Sequence, residues 1–344
     1  MSIMPQTPDE LFDKAERLED SGDESGALFV WRQLANERPY DAGVFCRLGR
    51  VARRLGDVQE AQLAFRQAIQ LDVATPSAHF ALASIALALG EYREAESCLM
   101  SGLRFEKNEA AYCMLGVALE RLGRRQEARA SYLAALEIDP AFDEAYYNLG
   151  VLLRENDPAE SEALFRRALE CTPDYPQAHR ELGWRLRARN ALPEAESHLR
   201  RAIDLDPDDA WAHVYLGNTL WARADIAQAI AEYDRARESE PNRAFPLWSL
   251  ANLHEDRKEW KKAQDLYERA LELEPDDLVA NMNLGRMFKK KGEPTAAKLF
   301  LERALLLDPG YEPARTLLAG LERSEELKPG GKWDALSRGE KGSA

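Results

Sequence analysis

Five histidines and four cysteines are the side chains here best suited to acid–base or nucleophilic chemistry near neutral pH. Neither set comes with the neighbours such chemistry needs. His79, His179, His198, His213 and His254 stand far apart, and none is paired at motif spacing with a nucleophile or a ligand set. They read as packing histidines on helices. Cys46, Cys98, Cys113 and Cys171 form no CxxC pair, so neither a disulfide framework nor a zinc site is predicted, and reduced thiols are expected. No phosphate-binding glycine loop or GxSxG elbow occurs, and carboxylate pairs are too abundant to single any out. The sequence therefore predicts no catalytic residue, no metal site and no cofactor. The side chains that remain are those of recognition: seven tryptophans, with arginines and asparagines near several of them.

Charge narrows what could be recognised. Lys plus Arg number 46 against 60 Asp plus Glu, a formal net charge of -14, where phosphate-backbone binding calls for clustered basic residues. No nucleic acid partner is expected. With 344 residues, 45% of them apolar, the chain can bury a large core. No run of about 18 uncharged apolar residues occurs, so no membrane span is predicted. Met1 to Glu10 contains Pro5, Pro8 and two acids where an export signal would be basic and then apolar, so a cytoplasmic protein is expected.

The elements that must position these side chains show in a repeat. Small residues recur at Ala15, Gly49, Ala83, Gly116, Gly150, Gly183, Gly217, Ala251 and Gly285, spaced by 33 or 34. A second small residue follows each, as at Ala27, Ala61, Ala95 and Ala128, with Ser161 one place early in a short fifth copy. Then comes a bulky residue: Trp31, Phe65, Leu99, Tyr132, Phe165, Leu199, Tyr233, Tyr267 and Leu301. Seven copies close with proline, from Pro39 to Pro309, whereas Val73 and Lys107 hold that place in the other two. Apolar residues recur at helical spacing on both sides of a central Gly or polar turn, so each unit predicts a helical hairpin.

This pattern resembles the tetratricopeptide repeat, whose 34-residue consensus carries an aromatic, Leu-Gly, an aromatic, then Ala, Phe, Ala and Pro. Tyr146, Leu149, Gly150, Phe165, Ala168 and Pro173 show it well, as do Leu216, Gly217, Tyr233, Ala236 and Pro241. The resemblance covers residues 8–311 as nine hairpins. It implies an all-α fold, a right-handed superhelix of stacked helix pairs. Residues 312–327, with Ala314, Leu317, Leu318 and Leu321, are predicted as a capping helix. Residues 1–7 read as an N-terminal tail and 328–344, polar and Gly-rich, as a disordered one.

In this family the inner face of the first helices is where peptides or partner helices usually bind, so positions 2, 5, 6, 9, 12 and 13 of each repeat sketch a groove. Repeat one offers Asp9, Phe12, Asp13, Glu16, Glu19 and Asp20; repeat two offers Cys46, Arg47, Arg50, Arg53 and Arg54. These opposite charges read equally well as a second binding face or as cross-helix ion pairs knitting an end repeat to its neighbour. Phe80, Ala81, Ala88, Cys113, Met114 and Val117 make an apolar stretch, and Tyr147, Asn148 and Arg154 follow. From repeat six the character changes to Arg180, Trp184, Arg187, Trp211, Tyr215, Asn218, Trp221, Phe245, Trp248 and Asn252, then Asn283, Arg286, Lys289 and Lys290, with Met282 among them. Trp and Tyr bury large area at small entropic cost, and Asn can pair with the amides of an extended peptide. Some of these rings, Trp221 above all, could instead pack between helices.

Two binding modes of the family each require a set of residues at fixed repeat positions. The clamp that grips the acidic C-terminus of chaperones would place Trp248, Asn252, Asn283, Pro313 and Leu317 at its five positions, and only the two asparagines match. The asparagine ladder of O-linked N-acetylglucosamine transferase would need Asn at the sixth position throughout, and only Asn148 and Asn283 supply it. Neither mode transfers. The sequence predicts a non-enzymatic scaffold or adaptor that binds another protein, through an extended or helical segment carrying apolar and acidic residues, by an attraction that weakens with salt. A regulatory subunit that holds an effector enzyme inactive, and an enzyme with an unrecognised site, are the alternatives. Lys332, Trp333, Asp334, Ala335 and Leu336 have the composition of such a ligand, so self-association through the tail is a further expectation.

Overall fold

A computed structural model describes residues 7–326 of the chain. Among the described residues there are nineteen helices and no strand. The chain divides into two compact units that meet between Pro173 and Asp174. The first holds α1 (Pro8–Asp20), α2 (Glu24–Glu37), α3 (Ala42–Arg54), α4 (Val58–Leu71), α5 (Pro76–Ala88), α6 (Tyr92–Leu103), α7 (Glu109–Arg121), α8 (Arg125–Ile138), α9 (Asp143–Leu153) and α10 (Pro158–Cys171). The second holds α11 (Pro176–Ala188), α12 (Leu192–Leu205), α13 (Ala210–Ala222), α14 (Ile226–Ser239), α15 (Ala244–Asp256), α16 (Trp260–Leu273), α17 (Leu278–Lys291), α18 (Pro294–Leu307) and α19 (Glu312–Glu326). The N-terminal residues 1–6 and the tail segment at Trp333, for which self-association was expected, lie outside the described residues.

Helix starts are written locally. Thr7 and Glu10 form a capping box on α1, and Asp41, Asp57, Asn108, Asp209 and Asp277 accept backbone N–H bonds at the starts of α3, α4, α7, α13 and α17. The turn inside a hairpin takes a left-handed residue, φ 84° at Gly292. Ala224 and Lys258 adopt the same conformation at φ 63° and 59°, which costs a side chain about 1–2 kcal/mol where glycine is free.

The repeated small and bulky residues are one device. A Cβ added at Gly116 would lie 2.4 Å from Tyr132 Cε1, and one at Gly217 2.8 Å from Tyr233 Cε1. The Tyr132, Phe165 and Tyr233 rings of second helices thus sit in holes left by a missing side chain on the first, and they are fully buried there. One hairpin cannot cover its own apolar stripe, so each packs on the next. Within the first unit α3 touches α5, α5 touches α7 and α7 touches α9; within the second α11, α13, α15, α17 and α19 follow one another likewise. First helices therefore stand side by side in each unit. That arrangement builds a row of side chains from different repeats.

Candidate functional site

The aromatic row of the second unit comes from α11, α13 and α15. Trp211 stacks on Phe245, with ring centres 4.0 Å apart and planes 5° from parallel. Tyr215 lies 5.6 Å from Trp211 and 6.3 Å from Trp184, and the Arg185 guanidinium sits 4.9 Å from the Trp184 ring. Trp184, Trp211, Tyr215, Trp221 and Trp248 are half-buried. Three positions differ from an open groove. Phe245 and Asn283 are buried, exposed by only 4% and 3%, and the Trp211 ring of the preceding hairpin lies on Phe245. Trp248 packs against three separate core clusters, and its indole N–H is buried without an acceptor among the described residues. These side chains take part in the packing of the second unit.

The asparagines serve the fold as well. Asn218 accepts a bond from the Tyr233 hydroxyl at 2.7 Å, and Asn252 accepts from Tyr267 at 2.6 Å and from Arg286 Nη2 at 2.7 Å. Much of the basic charge is likewise spoken for. Arg180 donates to Asp209 at 2.8 Å and also pairs with Glu181. Arg286 and Lys290 both reach Glu255, Lys290 at 2.8 Å, and Lys289 donates to the Leu317 carbonyl at 2.9 Å. Burial alone would raise the Glu255 carboxyl, but the bonds from Arg286 and Lys290 outweigh it and hold the group below its ordinary range.

Arg187 is the exception. Its side chain has no ion pair and no hydrogen bond among the described residues, and its Nε is buried without a partner. Burial pushes its guanidinium down from the usual value, with only the neighbouring Tyr233 acting the other way. A partly desolvated guanidinium with no ion pair can accept a carboxylate.

In the first unit the charged face of repeats one and two resolves largely into ion pairs. Arg54 reaches Glu19 at 2.7 Å, Arg50 at 3.7 Å and Arg47 at 3.8 Å, while the Trp31 indole donates to Glu19 at 2.8 Å. Arg47 also pairs with Glu16, and Arg54 with Glu24. Glu19 and Arg50 hold the same repeat positions as Glu255 and Arg286, thirty-one residues apart in both cases. Tabulating residues thirty-one apart would have revealed both pairs in the sequence. Such a table also marks the unmatched cases, Arg53 opposite Ser84 and Arg187 opposite Asn218.

The histidines are packing groups. His79 bonds the Val73 carbonyl at 3.0 Å, His179 meets His198 at 2.8 Å, and His254 meets Glu259 at 3.0 Å. His213 bonds Glu232 at 2.7 Å and the Pro207 carbonyl at 3.1 Å. Burial acts to lower its pKa, but these bonds carry it above the ordinary value. Among the described residues no group of three His, Cys, Asp or Glu is placed to hold a metal ion, and no helix is long and apolar enough to cross a membrane.

Paired helices stacked by small-for-large packing define an α-helical repeat protein. A sequence model of the middle TPR-like domain of cilia and flagella-associated protein 70 matches residues 11–139. Two tetratricopeptide-repeat models match residues 113–176 and 151–210, and residues 186–253 and 256–321. The chain belongs to the tetratricopeptide repeat family. No curated protein matches it. Among solved structures, yeast Tom70 is similar over 93% of this chain and 88% of its own, with a TM-score of 0.54 at 14% identity. A chain of the APC/C hetero-tetramer Cut9-Hcn1 is similar over 92% of this chain and 90% of its own, with a TM-score of 0.53 at 13% identity. YrrB, a TPR protein with an unusual peptide-binding site, covers 53% of this chain and 95% of its own, with a TM-score of 0.44 at 22% identity. These likenesses are of fold. The repeat family supports a protein-interaction scaffold, and the fold is typically non-enzymatic.

Proposed function

We propose that the chain is a non-enzymatic scaffold that binds a segment of another protein on the first-helix face of its second unit. The observation that carries this reading is Arg187, a half-buried guanidinium whose Nε is covered without a partner, one helical turn from Trp184 on α11. The ligand segment presents a carboxylate to Arg187 and lays apolar side chains on Trp184, Tyr215 and Trp211. Its acidic preference rests on Arg187 rather than on Arg180, Arg286 or Lys290, whose ion pairs lie within the chain, or on Lys289, which the Leu317 carbonyl holds in place. Phe245 holds the Trp211 ring flat from beneath, so Trp211 is presented rigidly and loses little entropy on binding.

The test is capture of partners from the native cell lysate, followed by titration of the captured protein. Truncating a hot-spot aromatic costs about 2 kcal/mol or more, roughly thirtyfold in affinity. Trp211→Ala and Arg187→Gln should each weaken binding by at least tenfold while keeping the helical circular dichroism of the wild type. If both variants bind the captured partner within about twofold of wild type, this face is not the binding site.

A further inference from the structure

We propose that the first unit carries a second, independent peptide site, a pocket between the first helices α3, α5 and α7 that takes an acidic residue beside a bulky apolar one. The pocket encloses about 550 Å³, within the range of sites that hold a ligand. Phe80, Ala81 and Met114 give it an apolar lining, and Arg50, Arg53 and Ser84 line it beside them. Apolar and cationic groups side by side are complementary to a side chain such as Leu or Phe flanked by Asp or Glu.

The charge argument is specific to Arg53. Glu19 meets Arg50 and Glu255 meets Arg286, so in two repeat pairs the chain itself supplies the carboxylate. At Arg53 the equivalent partner is Ser84, whose hydroxyl accepts from Arg53 Nη1 at 3.4 Å. Arg53 has no ion pair among the described residues, although Asp and Glu outnumber Lys and Arg by 60 to 46. Arg50 adds a second cation, held only at 3.7 Å from a Glu19 that Arg54 already engages at 2.7 Å. A ligand carboxylate could therefore bond Arg53 without breaking any ion pair of the fold. The same guanidinium geometry would suit a phosphate, but the apolar lining of Phe80, Ala81 and Met114 favours a side chain next to the anion, and so a peptide.

A random twelve-residue peptide library displayed on phage, selected against the full chain, tests this. Selection is repeated on Arg53→Glu, on Ala81→Trp, which fills the pocket without changing charge, and on Arg93→Glu, a matched reversal at an exposed site on α6. A set of enriched peptides is expected to carry Asp or Glu within two residues of Leu, Phe or Met. As synthetic peptides they should lose at least tenfold in affinity on Arg53→Glu and on Ala81→Trp, and less than twofold on Arg93→Glu. If no selected peptide depends on Arg53, or the dependent ones are basic, the proposal is overturned. Should Ala81→Trp not fold, Arg53→Glu, an exposed substitution, decides alone. Running Arg187→Gln beside these separates the two sites, because peptides lost on Arg187→Gln but kept on Arg53→Glu belong to the second unit.

Discussion

A guanidinium that loses part of its hydration without gaining a counter-ion raises the free energy of the folded chain, and Arg187, half-buried with its Nε covered, is in that position. Its presence is costly unless a ligand compensates. Arg187→Met, which keeps the length of the stem and removes the charge, is expected to stabilise the free protein by about 1 kcal/mol while weakening the ligand. Urea unfolding reads the first effect; a midpoint lower than wild type would mean that Arg187 is satisfied in solution and is no anchor. The glycine holes make the opposite kind of prediction. Tyr132 has no exposed surface and Gly116 leaves its ring no spare room, so Gly116→Ala must displace a ring that has nowhere to go. A loss of about 1–3 kcal/mol is expected from such overpacking, again by urea unfolding, although alanine is the better helix former. A variant as stable as wild type would show that the approach of α7 and α8 is not close-packed.

At the scale of the element, helical periodicity made the hairpins legible, because a small residue, a bulky residue and a proline recur where steric fit and helix termination require them. The face that a side chain occupies on its own helix was legible for the same reason. What the neighbouring helix does to that side chain was not. Asn283 and Phe245 hold groove positions in their repeats yet are buried, since exposure depends on the shape of the next hairpin. Glu255 shows the same gap in charge: it appears as one of many surface carboxylates, whereas on α15 it is 2% exposed and gathers Arg286 and Lys290 from α17 and the Tyr267 hydroxyl from α16. Its folded pKa is depressed, so the stability it contributes is present above the unfolded carboxylate range, about 4.3, and is lost as pH falls through the folded value. Glu255→Gln is therefore expected to cost about 1–2 kcal/mol at pH 7 and progressively less below pH 4. Unfolding measured from pH 7 to pH 3 checks this, and a cost that does not shrink with acid would exclude the ion pairs as its source.

Over the whole molecule, a formal charge of -14 repels the very ligand that the two unmatched arginines attract. The two effects act at different ranges. Repulsion from scattered surface carboxylates reaches across a Debye length, about 30 Å at 0.01 M salt and 8 Å at 0.15 M, and so governs encounter. Attraction to Arg187 operates after contact, where the half-buried group is screened less than a surface charge. Were Arg180, Arg286, Lys289 and Lys290 free, their field would offset the repulsion near the second unit and binding would weaken with salt, as the sequence suggests. Asp209, Glu181 and Glu255 set three negative charges against those four cations, and Lys289, held on the neutral Leu317 carbonyl, keeps its own, so the field is much reduced. The association rate for an acidic partner segment is therefore expected to rise a few-fold between about 0.01 M and 0.15 M salt. Over the same interval the dissociation rate should change by less than twofold, because the Arg187 contact is shielded. Stopped-flow binding at both ionic strengths, with Arg187→Gln alongside, separates the two. An association rate that falls with salt would mean that the paired cations still steer the ligand, and that the ion pairs within the second unit open in solution.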